Sequence, residues 1–96
     1  MKGGYVNDFL DHVTYEEVAV RYKGKKYFFH GLLWNSEIGM YEFTIDLWDD
    51  KDWYVDTVYQ ATAPTANECM KRFLSESIID GYRFWDIERE MEWIEC

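Results

Sequence analysis

Residues 17–61 alternate almost without interruption between apolar and polar side chains. A period of two is typical of half-buried strands, because successive side chains of a strand point to opposite faces. The pattern predicts four strands, over residues 16–23, 26–34, 40–48 and 53–61. The connections are short, so neighbouring strands should pair antiparallel in chain order and form a β-meander.

The three predicted connections contain the residue types that tight turns require. Gly24, within Lys23-Gly24-Lys25, supplies the positive φ of a tight hairpin. Asn35-Ser36-Glu37 with Gly39 makes the second turn, and Asp49-Asp50-Lys51-Asp52 makes the third. The third turn is charged throughout, so we expect it to face solvent.

One face of the predicted sheet, which we call the core face, collects most of the apolar residues of the alternation. Its members are Val18, Val20, Tyr22, Tyr27, Phe29, Leu33, Tyr41, Phe43, Ile45, Leu47, Val55, Tyr59 and Ala61. Gly31 interrupts this face. A glycine inside a strand often marks the close approach of another backbone, and here we expect a helix.

The opposite face, which we call the second face, mixes charged, polar and aromatic side chains. Its predicted members are Glu17, Ala19, Arg21, Phe28, His30, Leu32, Trp34, Glu42, Thr44, Asp46, Trp48, Tyr54, Asp56 and Val58. Exposed apolar patches mark interaction sites, and Trp and Tyr are enriched in binding hot spots. We therefore predict an interaction surface made of Phe28, Leu32, Trp34, Trp48 and Tyr54. The alternative is that the N-terminal helix or the last segment covers this face, which gives a three-layer domain.

Helical spacing flanks the meander on both sides. Before it, apolar residues recur at the spacing of one helix face, at Val6, Phe9, Leu10 and Val13. After Pro64, the segment Thr65-Ala66-Asn67-Glu68 matches a capping box, in which Thr65 caps a helix and Glu68 reaches back to Thr65. The buried stripe of that helix is predicted to be Cys69, Met70, Phe73 and Leu74, with Ser77 and Ile78 at its end.

The last segment allows two predictions. Asp80-Gly81 breaks the chain, and the apolar residues that follow have spacings of three, four and three, which favours a helix. These residues are Phe84, Ile87, Met91 and Ile94. Residues 90–95 also alternate, so a final strand is the alternative.

Together these elements predict one α+β domain over residues 1–96. It has a short N-terminal helix, a four-stranded antiparallel meander and C-terminal helices packed on the core face. A chain of 96 residues is long enough to bury one core without disulfides or a metal. The residues shared between sheet and helix in that core are predicted to be Phe29, Phe43, Ile45, Tyr59 and Phe73.

The net charge of the chain indicates which kinds of partner it is suited to bind. With 19 acidic and 10 basic residues, the chain has a net charge of −9, which opposes sequence-independent binding to nucleic-acid phosphates and to anionic lipid. The first residues, Met1-Lys2-Gly3-Gly4, lack the apolar core of a signal peptide, and no apolar run approaches about 20 residues, so we expect a soluble cytoplasmic protein.

Candidate catalytic and metal-binding residues are few. His12 and His30 do not have the spacing of a zinc site, and the carboxylates from Asp46 to Asp56 do not match a calcium loop. Cys69 lies in a helix stripe and Cys96 is the last residue, which does not predict a nucleophile beside a base. We therefore expect no enzyme activity, no metal and no cofactor.

Several short segments resemble a type of small bacterial single-domain protein to which no activity is assigned. They are Lys23-Gly24-Lys25-Lys26-Tyr27-Phe28, Glu68-Cys69, Phe73-Leu74, Asp80-Gly81, Phe84-Trp85 and Glu92-Trp93. The turn of such proteins often has Asn where this chain has Lys23. The resemblance implies an intact bacterial single-domain protein and no particular function.

The sequence thus favours a non-enzymatic protein-binding or self-associating module, with a protein partner or a homodimer as its complex. The alternative is an acidic inhibitor that mimics nucleic acid and binds a basic protein. Its carboxylates would come from residues 46–56 and 88–95.

Overall fold

The computed structural model describes residues 1–95, so Cys96 lies outside it. The N-terminal helix α1 spans Val6–Tyr15. The meander strands are β1 (Val18–Tyr22), β2 (Lys25–Asn35), β3 (Met40–Trp48) and β4 (Tyr54–Ala63). They are followed by α2 (Ala66–Ser75), β5 (Ser77–Ile79), β6 (Tyr82–Arg83), α3 (Phe84–Ile87), a 3-10 helix (Glu88–Glu90) and β7 (Glu92–Glu95).

The main sheet has the strand order β4-β3-β2-β1-β7, and every neighbouring pair is antiparallel. The α+β class, the meander and the helices at both ends are therefore confirmed. Two-residue turns with positive φ at both positions close the hairpins at Lys23–Gly24 and at Asp80–Gly81. This geometry matches the right-handed twist of paired strands.

The favoured helix over the last segment is largely wrong. α3 ends at Ile87, and the chain then forms β7, as the alternative predicted. β7 pairs with β1 on one side, and on the other side the amide of Trp93 donates to the carbonyl of Lys2 over 2.8 Å. Backbone pairing on both sides outweighs the helical spacing. Ser77 and Ile78, predicted at the end of α2, lie in β5 instead.

The three helices of residues 1–95 pack on the core face. Phe9 of α1 contacts Phe29 with ring centroids 5.6 Å apart, and Phe73 of α2 stacks on Phe43 at 4.2 Å. Phe84 of α3 contacts both helices, at 5.9 Å from Phe9 and 5.3 Å from Phe73. All five predicted core residues are buried. The second face is thus left to solvent, and the three-layer alternative is wrong.

A bulge in β2 changes which side chains share a face. Phe29 pairs with Ile45 and Leu32 pairs with Phe43, so two residues of β2, His30 and Gly31, lie opposite one residue of β3. Beyond the bulge the alternation is reversed. Leu33, predicted on the core face, is therefore on the second face and exposed.

Two further irregularities lie between β3 and β4. Val55 falls between the pairs Trp48–Tyr54 and Leu47–Asp56, and it is exposed although the alternation placed it on the core face.

The predictions for Val58 and Asp56, which placed both residues on the second face, are also wrong. Val58 packs against the core. Asp56 pairs with Leu47, and the Leu47 side chain lies on the core face. Thr57 takes their place on the second face, opposite Asp46.

The predicted cap of α2 is half confirmed. The Thr65 hydroxyl accepts a hydrogen bond from the Glu68 amide over 3.2 Å, but the reciprocal bond from the Thr65 amide to the Glu68 carboxylate is not formed. Thr65→Ala should lower the free energy of unfolding by about 0.5–2 kcal/mol, because one amide of the first turn loses its partner. A urea titration of both proteins measures this difference, and identical midpoints would contradict it.

Candidate functional site

The structure separates the five predicted interaction residues into two groups. Phe28, Trp48 and Tyr54 lie on the second face as predicted. Leu32 and Trp34 follow the bulge and lie on the core-face side, paired with Phe43 and Tyr41. The prediction of one continuous surface is therefore wrong for these two, because the extra residue in β2 reverses the alternation between Phe29 and Leu32.

The group on the second face is partly shielded by its own contacts. Phe28 stacks on Trp48 with centroids 5.1 Å apart and planes at 24°, and it also meets the edge of His30 at 5.2 Å. Both aromatic residues are half-buried. Tyr54 is more exposed, but its hydroxyl lies 3.1 Å from the Thr57 hydroxyl. Much of this aromatic surface is already covered within the monomer.

A polar network runs beside these rings. His30 Nε2 lies 2.5 Å from Asp46 Oδ2, and the Thr57 hydroxyl donates to Asp46 Oδ1 over 2.8 Å. On the other side of the imidazole, His30 Nδ1 lies 3.8 Å from Glu17 Oε1. Asp46 is buried, and these partners satisfy its carboxylate. The network therefore links the segment before β1 to β2, β3 and β4.

This network does not pair a hydroxyl nucleophile with His30. A nucleophile must lie within hydrogen-bond reach of its base, but the Thr57 hydroxyl donates to the carboxylate of Asp46 rather than to His30. Nowhere in residues 1–95 do three His, Cys, Asp or Glu side chains gather in a way that could hold a metal ion. The network can hold three strands, β2, β3 and β4, and the segment before β1 together on the second face.

The acidic turn has internal roles. The Asp49 carboxylate accepts from the amides of Lys51 and Trp53, at 2.9 and 3.0 Å, and so closes the turn. Asp52 pairs with the Lys26 ammonium at 2.7 Å, and Asp50 lies 3.8 Å from Arg21. The carboxylates of Asp49 and Asp52 are thus occupied within the chain, whereas the Asp50 side chain is 89% exposed.

A second surface lies at the end of the β2–β3 hairpin, over residues 31–40, and we call it the tip. Three large apolar side chains there are about half exposed: Leu33 at 53%, Trp34 at 55% and Ile38 at 52%. The turn is held in shape by Asn35, whose side chain accepts from the Glu37 amide over 3.0 Å and donates to Glu42 over 2.9 Å. The tip is therefore an ordered hairpin end, with Leu33 exposed on the second face and Trp34 on the core-face side.

Two sheet edges of the described residues are protected. At β7, the carbonyl of Met91 accepts from the Lys2 amide over 2.8 Å, so the N-terminal segment lies along the outer side. At β4, irregular pairing at Val55 and Val58 distorts the strand, and the Arg72 guanidinium donates to the Thr62 carbonyl over 2.8 Å. Bulges, charges and covering segments are the usual ways of preventing edge-to-edge pairing.

The protection of β4 continues in a side-chain network. Arg72 also pairs with Glu76, and Glu76 accepts a hydrogen bond from the Tyr59 hydroxyl over 2.6 Å. The bond from Tyr59 lowers the pKa of the Glu76 carboxyl below its ordinary value, and Arg72 lowers it further. A depressed pKa means that this carboxylate stabilises the fold above its unfolded-state pKa, and that the stabilisation is lost as the pH falls through the folded-state pKa.

Tyr59→Phe tests this coupling. We expect the pKa of Glu76 to rise towards the ordinary value of about 4.3, because the strongest donor to its charged form is gone. Carbon-detected NMR titration of the Glu76 carboxyl measures the change. The stability difference between the two proteins should also shrink as the pH falls below about 4, and an unchanged pKa in the variant would contradict the assignment.

The third edge, on the outer side of β2, is open. β1 pairs with β2 only from Lys25 to Phe29, and beyond that stretch the backbone carbonyls of Val13 and Glu16 lie against Gly31. Within the part of the chain that the structure describes, no strand and no further backbone hydrogen bond meets β2 on that side from Leu32 to Asn35. This stretch has no charge and no proline. The open edge lies within the tip, next to Leu33 and Trp34.

Sequence reasoning missed Leu33 and Ile38 as surface residues. Gly31 was the available signal, since a glycine inside a strand also marks bulges, and a bulge there moves Leu33 to the exposed face. For Ile38 the signal was a single apolar residue inside a polar turn.

Comparison of the chain with protein-family models, with curated proteins and with solved structures finds no match. The resemblance to small bacterial proteins stays a prediction. None of the helices formed by residues 1–95 has the length and apolar character needed to span a bilayer.

Proposed function

We propose that this protein is a non-enzymatic protein-binding module and that the tip is its binding surface. The observation that supports this most strongly is the coincidence of an open strand edge with three half-exposed apolar side chains. Added strands bind to such edges through backbone hydrogen bonds, and neighbouring side chains give specificity.

The second face gives less support for binding. Phe28 stacks on Trp48, and Asp46 bonds to His30 and Thr57 within the monomer. The acidic inhibitor also receives less support, because Asp46, Asp49 and Asp52 are occupied by internal partners and Glu88 is buried. A mimic of nucleic acid needs carboxylates that are free to meet a basic partner.

Site-specific photo-crosslinking tests the proposal. A photoreactive phenylalanine analogue replaces Trp34 in one variant and Trp85 in a matched control, whose exposed fraction of 51% is close to the 55% of Trp34. Each variant is irradiated in the cells that normally make the protein. We expect a protein adduct from position 34 and none from position 85. Adducts at neither position, or equally at both, would contradict the tip as the binding surface.

A further inference from the structure

We infer that the occupant of the tip is a second copy of this chain, which pairs its own β2 edge antiparallel to the first. This inference rests on the proposed function and names the partner. The two copies would meet through residues 32–35, where β2 has a free outer side. Two-fold pairing of identical edges uses the same surface on both molecules and closes after two copies.

The distribution of charge favours a second copy at this place. Two molecules with a net charge of −9 repel each other, so they can approach closely only through a neutral surface. Glu37 is the only charged residue between positions 31 and 40. The tip is therefore suited to an identical, equally acidic partner, whereas a basic partner would be drawn to acidic surfaces elsewhere.

The carboxylate of Glu42, which accepts a hydrogen bond from the Asn35 side chain, does not oppose this arrangement. Glu42 of β3 pairs with Leu33, so its backbone lies one strand away from the free edge. In the pair of copies the backbones of the two Glu42 residues would be three strand spacings apart, roughly 14 Å. Charges separated by more than the screening length of about 8 Å at physiological salt are largely screened.

Sheet geometry limits the registers. Residues that face each other across paired strands lie on the same face, so a two-fold axis through the sheet places one residue opposite its own copy. Centred on Leu33, the pairing puts Leu33 opposite Leu33 and Leu32 opposite Trp34. Centred on Trp34, it puts Trp34 opposite Trp34 and Leu33 opposite Asn35. Both registers bring together only uncharged side chains, and apolar cross-strand pairs stabilise a sheet.

Sedimentation equilibrium of the purified full chain tests the inference. We expect a monomer–dimer equilibrium that shifts towards dimer as sodium chloride is raised, because salt screens the repulsion between the two negative molecules. Trp34→Ser should raise the dimer dissociation constant at least about tenfold, as is typical of a central tryptophan. Trp85→Ser is the matched control and should leave the constant unchanged. Circular dichroism verifies that both variants are folded.

Single cysteines then identify the register. In a Cys96→Ser background the one remaining native thiol, Cys69, is buried. Leu33→Cys or Trp34→Cys should form a disulfide-linked dimer, whichever residue lies on the axis, because facing Cα atoms about 4.5–5.5 Å apart are within disulfide reach. Val55→Cys, equally exposed on the protected β4 edge, should form no disulfide-linked dimer.

The outcomes separate this inference from the proposed function. A monomer at every concentration and salt, a dimer that Trp34→Ser leaves intact, or a dimer weakened by salt would each overturn pairing through the tip. If the purified chain is a monomer but position 34 crosslinks to a different protein in cells, the inference fails while the proposed function stands. If the purified chain is a monomer and position 34 gives no adduct, both fail.

Discussion

Phe43→Ala is expected to lower the free energy of unfolding by about 3–5 kcal/mol, the typical cost of removing a fully buried phenylalanine. Phe43 is fully buried, stacks on Phe73 at 4.2 Å and meets the edge of Phe29 at 6.4 Å, so its removal leaves a cavity between the sheet and α2. Domains of this size have only about 5–15 kcal/mol in total, so the variant should be barely stable at room temperature.

Phe28→Ala is the matched control for this substitution. Phe28 is also an aromatic residue in the centre of the sheet, but it lies half-buried on the second face. Its removal should cost clearly less than that of Phe43, and urea unfolding of the three proteins gives the comparison. Equal losses from the two substitutions would show that the helices do not distinguish the two faces of the sheet.

Gly31→Ala should have a similarly large effect, for a different reason. Gly31 has a φ of +83°, and an added Cβ would lie 2.8 Å from the carbonyl oxygen of Glu16 and 3.0 Å from that of Val13. The left-handed conformation costs a non-glycine residue about 1–2 kcal/mol. Forcing backbone apart at a close contact adds about 1–3 kcal/mol, by analogy with overpacked cores.

Gly24→Ala separates these two contributions. Gly24 has a φ of +76°, but no atom lies within 4 Å of its Cβ position. This variant should therefore lose only the conformational part, about 1–2 kcal/mol, and thermal unfolding should rank it between the wild type and Gly31→Ala. If the two variants lose the same stability, α1 does not lie against the β2 bulge as described.

The sequence predicts an element of this fold well when the signal for that element comes from neighbouring residues. Alternation, turn glycines and the Thr65 cap depend on neighbouring residues, and they predicted the strands, the hairpins and the start of α2. Local signals could not decide between β7 and a helix, because the residues from Glu92 are held in a strand by pairing with the distant Val20 and by Lys2. That is tertiary stabilisation which helical spacing does not reveal.

The candidate site illustrates the same limit. One extra residue at His30–Gly31 moves Leu33 to the second face. The same residue places Leu32 and Trp34 on the core-face side. No property of the Leu-Leu-Trp segment reveals that change, because each of its residues suits either face. The open edge beside Leu33 also depends on where the pairing of β1 with β2 begins, which the sequence pattern does not specify.

Amide hydrogen exchange at low and high protein concentration tests pairing through the open β2 edge. We expect amides among residues 32–35 to exchange more slowly in the concentrated sample, because the edge then pairs with a second copy. Amides at the outer edge of β4, from Tyr54 to Thr57, should exchange at the same rate in both samples. Rates at residues 32–35 that do not change with concentration, or slowing confined to β4, would contradict it.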